Sequence, residues 1–132
     1  MAARLLIVED DPMCSAVFAR FLEEEGYEVK AVATQHEAVQ IGVAFRPDLL
    51  IADWLLKDDD TGLDGIDVAE SLHAEIPQMP IIFMTGLPRV ILQRQVRGLP
   101  VHKVFEKPVE PQDLLNCVRQ ALGHKECRTA SA

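Results

Sequence analysis

Short apolar runs alternate along the chain with longer segments in which apolar residues recur every three or four positions. The runs LLIV (5–8), LLIA (49–52) and IIFM (81–84), with a weaker VF at 104–105, read as buried strands. EVKAV (28–32) adds a fifth with partial alternation. Asp11 before Pro12 is a helix start, and Cys14, Val17, Phe18, Phe21 and Leu22 form one apolar stripe that ends at Gly26. Ala38, Ile41, Gly42 and Phe45 form a second stripe stopped before Pro47, and Val68, Ala69 and Leu72 a third stopped before Pro77. A fourth helix with a less regular pattern is expected over 88–98. Leu114, Leu115, Val118, Ala121 and Leu122 form the fifth, closed by Gly123. Strand and helix alternate five times, the pattern of an α/β fold with a parallel sheet covered by helices on both faces. Right-handed crossovers leave such a chain few topologies. The periodic part, 1–123, is expected to be one domain, and the polar tail 124–132 to fray.

Composition narrows the classes. A chain of 132 residues, 48% hydrophobic, is long enough to bury one core. Its net charge of −8 argues against nucleic acid or an anionic membrane surface as a general partner. No apolar stretch approaches the ~20 residues that span a bilayer. The start MAARLLIVEDD has acids after only four apolar residues, unlike a secretory signal, so a cytoplasmic location is expected. Cys14, Cys117 and Cys127 lack metal-ligand or disulfide-framework spacing. Cys14 and Cys117 are expected in the core, and Cys127 in the tail. His36, His73, His102 and His124 have no ligand spacing and are expected at the surface.

The candidate chemistry lies where the strands end. In open parallel sheets, ligands bind beyond the carboxyl ends of the strands. Glu9, Asp10 and Asp11 follow the first strand, Asp53 the third, Thr85 the fourth and Lys107 the fifth. Strand-end acids can serve only to cap helices, and for Asp11, directly before Pro12, that plain reading prevails. For Asp10 with Asp53 it leaves unexplained why a lysine and a threonine meet them at the same edge. Carboxylates held together repel unless a cation intervenes, and Mg²⁺ suits a site of one or two carboxylates and waters. Such an ion could neutralise a phosphoryl group, with an ammonium and a hydroxyl on its remaining oxygens. A carboxylate can itself be the nucleophile.

VEDDP at 8–12, Asp53 closing LLIAD, MTG at 84–86 and EKP at 106–108 together resemble the receiver domain of two-component response regulators. The resemblance covers about 4–122. It implies a doubly wound, flavodoxin- and CheY-like sheet of five strands in the order 2-1-3-4-5 with five helices. It implies that Asp53 accepts a phosphoryl group from a sensor histidine kinase or a histidine phosphotransfer protein. Asp10, Asp53 and the backbone carbonyl of Leu55 would hold Mg²⁺, or Mn²⁺ in its place, with Glu9 assisting through water. Lys107 would pair with the phosphoryl oxygens, Thr85 would move to hydrogen-bond one of them, and the Lys107–Pro108 peptide would be cis.

The chain departs from the family pattern in two places. Lys57 stands where receivers usually have proline, and Asp64–Gly65 arrives four residues later than usual. KDDDTG therefore reads as a loop insertion whose Asp58, Asp59 and Asp60 form a solvated face. Val104 stands where an aromatic is usual, and Phe105, one residue later, is expected to face the other side of the sheet as ordinary core. Trp54 is expected to pack beside the acceptor. The stretch 86–105 has no acid but holds Arg89, Arg94, Arg97, His102 and Lys103, which makes it either an output or homodimer surface or a plain basic face.

These features point to a phosphorelay switch without an attached output domain, or a piece of a larger protein, that catalyses only its own phosphorylation and dephosphorylation. One rival is a phosphorylation-independent binding module on the same fold. The other is a Mg²⁺-dependent phosphohydrolase, for which no separate general acid is visible.

Overall fold

A computed structural model describes residues 2–54, 65–96 and 98–123. Leu55, Lys57, Asp58, Asp59, Asp60, Asp64, Arg97, His124 and Cys127, with the expectations attached to them, lie outside these residues. The described chain runs β1 (Arg4–Val8), α1 (Pro12–Glu24), β2 (Glu28–Val32), α2 (Gln35–Phe45), β3 (Leu49–Asp53), α3 (Gly65–Glu75), β4 (Ile81–Thr85), α4 (Arg89–Gln95), β5 (Val101–Glu106) and α5 (Pro111–Ala121). All strand pairs are parallel, in the order β2-β1-β3-β4-β5.

The two-residue alternation of the strands divides the core. Leu6, Val8, Leu50, Ala52, Ile81 and Phe83 face a layer built from α2, α3 and α4. Leu5, Ile7, Leu49, Ile51, Ile82 and Met84 face α1 and α5. Both faces are covered, so β3 and β4 are buried at every residue, which is why their sequences are continuous apolar runs. Val104 is buried in the first layer and Phe105 packs half-buried against the second, as alternation requires.

The edges differ from the sequence expectation. β5 extends from Val101 to Glu106, well beyond the apolar pair at 104–105, because an edge strand keeps polar residues on its open side. A register shift at Ile81/Ile82 skips His102. α4 is shorter than 88–98: only Leu92 of its residues is buried, and the chain leaves it through a turn in which the Leu99 N–H donates to Val96 O at 3.1 Å. Gly98, at φ +89, completes that turn where a side chain would be strained.

In α1 the buried line is Ser15, Phe18 and Leu22, with Cys14 and Phe21 half-buried beside it. Val17 is 52% exposed, contrary to its place in the expected stripe. It follows from the roughly 100° step per residue, which sets Val17 well off the face centred on Phe18. Cys117 is buried as expected, whereas Cys14 is only half so. Burial pushes both thiols up, with the Asp11 carboxylate adding to the effect at Cys14, so neither is an activated nucleophile. His36 and His102 are exposed, but His73 is half-buried and its Nδ1 is shut away without a hydrogen-bond partner. Among the described residues, no helix is long and apolar enough to cross a membrane.

Candidate functional site

The carboxyl ends of four strands build the site. After Val8, which pairs with Val32 and Ala52, the Glu9 N–H donates to Val32 O at 3.0 Å and keeps the chain in the sheet for one more residue. Glu9 is thereby enclosed, at 1% exposure. Asp11 starts α1: its Oδ1 accepts from the N–H of Met13 at 3.0 Å and of Cys14 at 3.4 Å. These donors, Cys14 foremost, hold the Asp11 carboxyl below the usual carboxylate range. Asp11 is a cap, as the plain reading has it. Asp53 ends β3 in register with Met84, and the N–H of Trp54 donates to Met84 O at 3.0 Å. Lys107 follows β5 and its N–H donates to Thr85 O at 2.8 Å, which fixes the base of its side chain. The Lys107–Pro108 peptide is cis, as the resemblance implies.

The Lys107 ammonium lies between two buried acids, donating to Asp53 Oδ2 at 2.9 Å and to Glu9 Oε1 at 3.0 Å. Burial pushes the ammonium down, but its bonds to Asp53 and Glu9 outweigh this and hold it above the ordinary lysine value. Glu9 behaves in the opposite way. Burial raises it to about 6, aided by the Asp53 charge and resisted by the Asp11 N–H and by Lys107. The Asp11 N–H donates to Glu9 Oε2 at 3.1 Å, so both Glu9 oxygens are engaged.

Carboxylate oxygens of Glu9, Asp10 and Asp53 lie within 4.8 Å of one another. Three acids against the one Lys107 ammonium leave two negative charges in excess when all are ionised. An all-oxygen donor set with that excess fits a hard divalent cation. Of the residues expected at the ion, the structure brings Glu9, Asp10 and Asp53 together, while the Leu55 carbonyl lies outside the described residues.

Thr85 is 1% exposed, and its hydroxyl is turned toward the β4–α4 connection. Its Oγ1 accepts from the Leu87 N–H at 2.9 Å and lies 3.4 Å from Leu87 O. Its engagement there is with α4's entry rather than with Asp53. Trp54 is buried beside the acceptor, as expected, and its Nε1 has no hydrogen-bond partner.

Two features were not apparent from sequence. Glu9 contacts Lys107 directly, in addition to the part in the cation site expected of it. Gly65 donates its N–H to Trp54 O at 2.6 Å, and a Cβ at 65 would collide with the carbonyl of Asp53. The Asp64–Gly65 pair is visible in the sequence, but the contact of Gly65 with Trp54 and Asp53 is not.

The exposed basic residues Arg89 and Lys103 line a separate cavity of about 570 Å³ with Phe105, Glu106, Asp113 and Gln120, between β5 and α5. Glu106 also accepts the Arg89 N–H at 2.9 Å, so acids from outside 86–105 face the basic stretch.

A model of the response regulator receiver domain matches residues 5–119, and the chain belongs to that family. It is 34% identical to the phyllosphere-induced regulator PhyR of Methylorubrum extorquens over 92% of this chain and 44% of that protein. It is 30% identical to the DNA-binding response regulator MtrA of Mycolicibacterium smegmatis, over 96% of this chain and 53% of that one. The chain thus spans about half the length of these curated relatives. A CheY-like receiver domain protein from Methanospirillum hungatei superposes with a TM-score of 0.81 at 28% identity, covering 97% of this chain and 99% of that one.

Proposed function

We propose that this receiver domain is a phosphoacceptor switch: Asp53 takes a phosphoryl group from a phosphohistidine of a sensor kinase or phosphotransfer protein in a Mg²⁺-dependent reaction. The observation that carries this reading is the buried Asp53 carboxylate, 2.9 Å from the Lys107 ammonium and within a cluster of three acids. A carboxylate oxygen of Asp53 attacks phosphorus as the P–N bond to the donor imidazole breaks, giving an aspartyl phosphate that water later hydrolyses. Glu9, Asp10 and Asp53 would hold the divalent ion, which supplies positive charge against the phosphoryl oxygens. Lys107 offers its N–H groups to those oxygens as the Asp53 charge passes onto them. Thr85 exchanges its bond with Leu87 for one to the phosphoryl group, and this loosens the entry to α4.

Met13 and Val17, 75% and 52% exposed on α1 just after Asp11, leave apolar surface that suits a helical donor protein. The 86–105 face, with Leu87, Val90 and Ile91 exposed among basic residues, is the surface we assign to an output protein or a second copy. The chain works in the cytoplasm as a signalling component of a phosphorelay and turns over only its own phosphoryl group. Intact mass after incubation with a small acyl phosphate tests this. One adduct that requires Mg²⁺ and is lost in Asp53→Asn is expected. If no adduct forms, with a cognate kinase also present, the phosphorylation-independent module takes its place.

A further inference from the structure

A second cavity, of about 400 Å³, adjoins the acidic cluster on the α1 and α5 side of the sheet. Cys14, Phe18, Met84 and Val109 give it a largely apolar wall, and Glu9 and Lys107 share in its lining. Its size lies within the range of small-molecule sites, roughly 300–1,000 Å³. An ammonium has three N–H groups, and Lys107 gives two of them to Glu9 and Asp53. Its side chain is 31% exposed, and among the described residues its third N–H has no acceptor, which leaves it for one from outside. Against the apolar wall of Cys14, Phe18, Met84, Pro108 and Val109 a net charge would lose its hydration without a partner, so the cavity suits an uncharged ligand.

We propose that this cavity binds a small uncharged ring compound carrying one hydrogen-bond acceptor, such as an aromatic amide or ketone, and that its occupation slows phosphoryl uptake at Asp53. The ring lies against Phe18, Met84 and Val109, and its acceptor takes the free N–H of Lys107. The ammonium is then held by three acceptors at the moment it has to turn toward phosphoryl oxygens. This second effect rests on Asp53 being the acceptor; binding itself does not.

Amide NMR titration of the full chain with benzamide is the test, paired with the rate of adduct formation with and without it. Saturable shifts confined to the neighbourhoods of Cys14, Phe18, Met84, Lys107 and Val109 are expected, with a dissociation constant of about 1 mM, in line with so few ligand atoms. Val109→Phe fills the cavity and weakens binding by roughly tenfold or more. Cys14→Leu fills it from the opposite wall, which keeps the test valid if the first variant does not fold. Adduct formation under saturating benzamide slows by about threefold or more, because the ligand favours the Lys107 position that is not productive. Shifts that fail to saturate, or that persist unchanged in the folded variants, overturn the site. Saturation with an unchanged rate overturns the control. If no adduct forms even without benzamide, the control fails with the phosphoacceptor reading, and the titration still decides the cavity.

Discussion

Ionising Glu9 means placing charge in a buried site beside the Asp53 carboxylate, and burial first, with the Asp53 charge adding to it, raises its pKa from 4.5 to about 6. A raised carboxyl means that the folded state binds more protons than the unfolded state between those two values. In metal-free protein, the Glu9 contribution to stability is therefore greatest at low pH and is lost as pH rises from 4.5 to about 6. A shift of that size corresponds to about 2 kcal/mol. Denaturant melts across this window should show the loss in wild type and a flatter profile in Glu9→Gln. Mg²⁺, if held by the ionised cluster as proposed, should move the transition to lower pH. Gly65 is the other residue with a sharp consequence. Any side chain there meets the backbone of Asp53 itself, so Gly65→Ala should cost about 1–3 kcal/mol in urea melts by forcing backbone apart. Its adduct formation should fall as well, because the displaced segment carries the acceptor.

The elements differ in how openly the sequence declares them. β1, β3 and β4 are covered on both faces, so their apolar runs mark them within a residue of their ends. β5 and α4 lie at the edge, where half or more of each element faces water, and their apolar signal is correspondingly thin. The strand-end acids, the threonine and the lysine were legible because parallel strands deliver their carboxyl ends to one edge. The contacts among them were not, since Glu9 with Lys107 spans 98 positions and depends on side-chain direction. Thr85 links this site to the least anchored helix. Thr85→Val removes the acceptor for the Leu87 N–H and the hydroxyl for the phosphoryl group while keeping the shape. The expected outcome is an adduct that still forms, but without the phosphorylation-dependent amide shifts over α4 that the wild type should show. Equal shifts in the variant would remove Thr85 from the switch.

At the scale of the whole molecule, a net charge of −8 and an acidic cluster at one sheet edge lead us to propose that divalent cations stabilise the fold. Mg²⁺ at a hundred times its dissociation constant should add about 2.7 kcal/mol to unfolding, and Asp10→Asn should abolish most of the gain. The sole tryptophan, Trp54, is buried next to Asp53, so its emission should titrate with the same dissociation constant. Where the phosphoryl group comes to rest is the decisive observation. Borohydride reduces an acyl phosphate to the alcohol, so treatment of phosphorylated protein followed by peptide mapping marks the acceptor. Homoserine at position 53 alone is the predicted result. Homoserine at position 10 or within 58–60, or a phosphoryl group that resists reduction and so sits on another residue type, would contradict the assignment of Asp53.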